Sequence, residues 1–103
     1  MLKLSKSIQL KIETSEGLFS QKVQVRTLTK KQRQEVQGIV FAAQDIIDEN
    51  QAEALLEIER ASKLRFEYTI DAGEKQKDLV DICEEYGYNE ITSEIDELIS
   101  KGK

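Results

Sequence analysis

The acidic side chains are the first residues to weigh for chemistry. Glu74, Asp78, Asp81 and Glu85 recur at spacings of four, three and four, and Glu90, Glu94 and Glu97 repeat the rhythm beyond Gly87. On a helix each set makes one stripe. Neighbouring carboxylates can exchange protons with a substrate or hold a divalent cation. A cation of the calcium type needs about six or more oxygens converging on one point, whereas a regular helical face spreads them along a line. The expected role is a solvated face or a docking surface for a basic segment of a partner, with Asp78, Asp81 and Glu85 as the contact residues. Histidine is absent, which removes Ser-His and Cys-His catalysis and the common zinc sites. Cys83 is the one cysteine; it falls within an apolar stripe, where a thiol acts as a small buried hydrophobe. It can form neither an intrachain disulfide nor a CxxC motif, and a lone thiol suits a reducing compartment. The five glycines stand singly, so no glycine-rich loop cradles a phosphate. The residues predict no catalytic group, no cofactor and no metal, and hence no enzyme.

The chain that must position these residues is short. Its 103 residues, 34% charged and 39% hydrophobic, have room for one domain and one small core. The net charge of −5 is unevenly spread. Residues 1–33 hold eight of the fifteen Lys/Arg and two of the twenty acids, a balance of +6, and the remainder carries −11. Met1-Leu2-Lys3-Leu4-Ser5-Lys6 lacks the apolar run of a signal peptide, and no stretch approaches the roughly 18 apolar residues that span a bilayer. A cytoplasmic protein without a membrane partner is expected.

The basic third reads as a β-hairpin. Apolar residues alternate at Leu2, Leu4, Ile8, Leu10 and Ile12, with Lys6 the exception, and again at Phe19, Val23 and Val25. Thr14-Ser15-Glu16-Gly17 supplies the turn. Pairing Glu13 with Leu18 sets Ile12 opposite Phe19 and Ile8 opposite Val23, so the apolar faces coincide. The other face carries Lys3, Lys11, Lys22 and Arg26. It has no aromatic residue to stack on bases, and acidic helices beside it repel nucleic acid, so that partner is not favoured.

The acidic remainder reads as helices. Thr29 and Gln32 form a capping box, and Val36, Ile39, Val40, Ala43 and Ile47 recur at helical spacing over 30–48. Asp48-Glu49-Asn50 breaks the chain before a second helix over 51–62, with Leu55 and Ile58 inward. Leu64-Arg65-Phe66-Glu67-Tyr68-Thr69-Ile70 fits a third strand or a continued helix, and its alternation with β-prone residues favours the strand. Residues 74–86 make the clearest helix, with Leu79, Ile82, Cys83 and Tyr86 inward and Gly87 at its end. Asn89 can cap a last helix, in which Ile91, Ile95 and Leu98 form a seam. The expected fold class is α+β: a hairpin over 1–28, with a third strand near 63–70, packed on three to four helices within one domain, 29–100 being mainly helical. Phe41 lies about 140° round the helix from Val36, and Leu56 is also off its stripe. Such residues are either covered by another element of the domain or are anchors for a partner.

Taken whole, the chain resembles the tail assembly chaperones of long-tailed (siphovirus-type) bacteriophages. The resemblance rests on the strands at 4–12 and 18–26, on the passage Val25-Arg26-Thr27-Leu28-Thr29 into a polar-started helix, and on Asp81-Ile82-Cys83-Glu84-Glu85-Tyr86-Gly87-Tyr88-Asn89 before a short amphipathic helix. It implies a non-enzymatic protein of the host-cell cytoplasm, absent from the mature virion, with no catalytic residues. Its implied partners are the tape-measure protein, whose hydrophobic helices it keeps soluble, and the tail-tube protein; self-association fits the charge asymmetry. The residues alone also leave open a small regulatory or nucleic-acid-binding accessory protein of antitoxin type, using the basic hairpin. Either way, Phe41 and Leu56 are candidate partner contacts.

Overall fold

Two ten-residue strands open the fold, β1 (Ser5–Thr14) and β2 (Gly17–Arg26), in a computed structural model that describes residues 4–101. The expectations at Leu2 and Lys3 lie outside those residues. The pairing is the one the sequence predicts: Glu13 faces Leu18, Ile12 faces Phe19, and Ile8 faces Val23. The Thr14 hydroxyl closes the turn, accepting from the Glu16 amide and donating to the Gly17 carbonyl. Gly17 follows at φ 138°, in a region that favours glycine. Leu10 and Val23 are fully buried on the inner face, while Lys11, Lys22 and Arg26 are exposed.

α1 (Lys30–Ile46) starts at the expected capping box: the Thr29 hydroxyl accepts from the Gln32 amide, and the Gln32 side chain accepts from the Thr29 amide. After the Asp48–Asn50 break, α2 runs over Gln51–Thr69. The strand favoured for 63–70 is therefore helix up to Thr69. Only Ile70–Asp71 is extended, forming a short β3 that pairs with Gln24 and Val25 of β2. The alternation misled because α2 is covered from two sides. Val36 and Ala43 of α1 and Ala54 and Ala61 of α2 are the buried residues of the seam between the two helices, while Phe66 enters the central core from another side of α2. Two stripes on one helix blur its 3.6-residue period.

A 3-10 turn at Gly73–Lys75 leads to α3 (Gln76–Tyr86), and Gly87, at φ 104°, turns the chain into α4 (Tyr88–Lys101). α4 begins one residue before the expected Asn89 cap. The cap comes from α2 instead, where the Glu59 carboxylate accepts from the Tyr88 and Asn89 amides. An acid at that position satisfies orphan amides and opposes the positive end of the helix dipole. Leu55 and Tyr86, expected inward, are exposed, whereas Ile58 is half-buried.

The core lies between the inner face of the three-stranded sheet, the C-terminal half of α2, and α3 and α4. Leu10, Val23, Phe66, Leu79, Cys83, Ile91 and Ile95 fill it, with Phe66 and Tyr88 edge to face at 5.4 Å. Each such side chain stabilises the fold by about 1.5–3 kcal/mol on burial. α1 contributes nothing to this cluster. It packs chiefly on α2, and the two form an arm that leaves the core.

Candidate partner-binding surface

The arm is built from small residues inside and large ones outside. Its seam, Val36, Ala43, Ala54 and Ala61, lets the helices approach closely, so little room remains between them for leucine or phenylalanine. Phe41 is 60% exposed, Leu55 54% and Leu56 71%, with Ile47 also exposed at the tip. Among the described residues no element buries Phe41. These four are more than half of the large exposed hydrophobic residues among those described, and they share one hairpin of helices.

Helical spacing assigns them to faces. The four-residue link at 47–50 folds α2 back along α1, and for antiparallel helices equal angular offsets from the seam fall on the same side. Phe41 lies about 140° from Val36 and about 160° from Ala43, so it points away from α2, whereas Leu55 lies about 100° from Ala54 and faces one side of the helix pair. Glu59, Ser62 and Phe66 continue the Leu55 stripe at spacings of four, three and four. All three residues meet the last helix: Glu59 caps it, Ser62 donates to Asn89 at 3.2 Å, and Phe66 packs on Tyr88. Arg65 adds a two-pronged pair with Asp96 at 2.9 and 3.0 Å. α4 thus packs on one side of α2, and Leu55 with the half-buried Val40 and Ile58 lies on that side toward the tip, while Phe41 stands exposed on the outer face of α1. Leu56, about 100° further round than Leu55, points away from α1 on another side. Leu55 is a candidate contact that the sequence did not single out. The signal for it was the stripe it shares with Phe66.

The acidic residues lie elsewhere. Asp78, Asp81 and Glu85 are exposed on α3, where with Glu16 and Leu18 of the hairpin turn they line a cleft of about 480 Å³. The five expected contact residues are thus divided between the arm and the hairpin tip. Lys75 pairs with Asp78 at 3.8 Å and Lys101 with Glu97 at 3.1 Å, both exposed. Among the described residues no three acidic or cysteine side chains gather closely enough to hold a metal ion.

Beneath the surface the ionisable groups are set for structure. Cys83 is fully buried; loss of water around it, and secondarily the charges of Glu59 and Glu84, push its thiol up to about 12. Burial also raises the Tyr88 phenol, helped by its 2.7 Å hydrogen bond to Glu84. That same bond, with Lys63 at 3.5 Å, lowers the Glu84 carboxyl. A thiol held protonated is a poor nucleophile. Among the described residues no helix is long and apolar enough to cross a membrane. Comparison with protein families, with curated proteins and with solved structures finds no match.

Proposed function

We infer that the chain is a non-enzymatic assembly chaperone that holds an amphipathic helix of a client along the α1–α2 arm. The observation that carries this reading is the set of large apolar side chains exposed on the arm, Phe41, Ile47, Leu55 and Leu56, beyond the point where the protein's own α4 packs on α2. A client helix laid on this apolar surface extends the helix-on-helix packing that the fold already uses where α4 meets α2. The resemblance to phage tail assembly chaperones names the client as the tape-measure protein, with tail-tube subunits recruited to the complex. Co-expression tests it. With this chain present, the tape-measure protein encoded in the same genome stays soluble and co-purifies; with the Phe41→Ala/Leu55→Ala variant it aggregates. Equal solubility with and without the chain contradicts the reading.

A further inference from the structure

At the end of the sheet opposite the hairpin turn is a second cleft, of about 360 Å³, where β1, β2, the start of α1 and the ends of α2 and α4 meet. Four cations line it: Lys6, Arg26, Arg33 and Arg65. Its wall also includes Val25, Leu28, Ile70, Ile95 and Ile99. Lys6 is the residue that breaks the apolar alternation of β1. Its partner across the ladder is Val25, so it stands on the inner face, at the end where that face borders the cleft. Arg26 and Arg65 already hold carboxylates of their own chain, Asp71 at 3.1 Å and Asp96 at 2.9 Å. Among the described residues Lys6 and Arg33 make no ion pair and no side-chain hydrogen bond. The cleft therefore offers two uncommitted cations beside an apolar wall, in a chain whose net charge is −5.

The hairpin turn has the complementary features. Leu18 is 63% exposed, with Glu16 beside it and Asp78, Asp81 and Glu85 on the neighbouring helix. Eight residues of strand at about 3.3 Å each separate Lys6 from Thr14, so tip and cleft lie about 26 Å apart and cannot meet within one molecule. We propose that the hairpin tip of one copy seats in the cation-lined cleft of a second copy, with Leu18 against the apolar wall and Glu16 and the α3 carboxylates facing Lys6 and Arg33. Because tip and cleft are different surfaces, the contact is head-to-tail. It leaves one tip and one cleft free in every pair, so copies add in a row. The contact is independent of any client and does not use the exposed apolar residues of the arm, Phe41, Ile47, Leu55 and Leu56.

Sedimentation velocity of the purified chain tests this through two charge-reversed variants, Lys6→Glu/Arg33→Glu in the cleft and Glu16→Lys/Asp81→Lys at the tip. The unmodified chain sediments faster as its concentration rises at low salt, and this self-association weakens in half-molar sodium chloride, because the contact is largely between exposed charges. Each variant alone associates at least about tenfold more weakly, as expected when facing charges are made alike. An equimolar mixture of the two recovers association, since each reversed tip then meets an oppositely charged cleft, and this recovery also shows that both variants are folded. A chain that stays monomeric at every concentration at low salt overturns the proposal. So does self-association that neither reversal changes, or a mixture that fails to recover it.

Discussion

The core and the arm use apolar residues in opposite ways. In the core, Leu10, Val23, Leu79 and Ile95 are turned inward from four elements, β1, β2, α3 and α4, and the surface they remove from water is what holds sheet and helices together. In the arm, the buried seam is mostly alanine, and Phe41, Leu55, Leu56 and Ile47 remain in water. One helix, α2, belongs to both regions: from Glu59 onward it is fixed to α4 by Glu59, Arg65 and Phe66, while its first two turns pack chiefly on α1. The difference teaches that the arm contributes little to the stability of the whole and leaves its large side chains available to something else.

The sharpest way to break that contrast is to cut the shared helix away from the core. Phe66→Ala is expected to destabilise the fold by about 3–5 kcal/mol, since the cavity lies among side chains that cannot collapse into it; a urea titration followed by circular dichroism measures it. Alkaline pH acts on the same region. Cys83 ionises near its ordinary value of 9.0 when unfolded but only at about 12 when folded, so the unfolded chain loses protons first. Stability is then full below pH 9 and falls as pH rises toward 12, with Tyr88 acting in the same direction above its ordinary value of 10.0. Cys83→Ala flattens the first part of that decline, and a thiol reagent at neutral pH labels the wild-type chain only once it is unfolded. In the arm, Ala54→Leu forces the seam apart at a cost of about 1–3 kcal/mol, and hydrogen exchange then reports faster opening of α1 than of β1. Removing the cap that joins the regions, by Glu59→Ala, costs about 1 kcal/mol in thermal unfolding. Phe41→Ala has the smallest effect, within about 0.5 kcal/mol, because a side chain already in water loses little on truncation. A large loss there would place Phe41 in the core and end the contrast.

Much of the core was legible in the sequence, and the arm less so. The hairpin register could be read because a one-residue slip would separate Ile8 and Ile12 from Phe19 and Val23, and the tight Thr14–Gly17 turn selects among the registers that keep them on one face. The Thr29–Gln32 capping box could be read because capping depends on residues three apart in the chain. The segment 63–70 could not, because Leu64, Phe66, Tyr68 and Ile70 alternate in sequence while serving different neighbours: Phe66 the core, and Tyr68 the α1 side, where its hydroxyl bonds Glu35 at 2.9 Å. The α4 cap escaped notice for a similar reason, since Glu59 lies 29 residues from the amide it satisfies. At the candidate site, Phe41 and Leu56 stood out by being off their stripes. Leu55 did not, because its position beside Ala54 reads as inward until the second covering of α2 is known. Lys6 was visible only as an interruption of the β1 pattern, and its meaning depends on the cleft it borders.

The most direct test of the arm as the client surface is methyl-detected NMR of the labelled chain titrated with a helical fragment of the tape-measure protein. The account predicts shifts at the methyl groups of Ile47, Leu55 and Ile58, with Leu10 and Leu79 unmoved. Binding that shifts Leu18 and the strand residues while leaving Leu55 and Ile58 unchanged would contradict it.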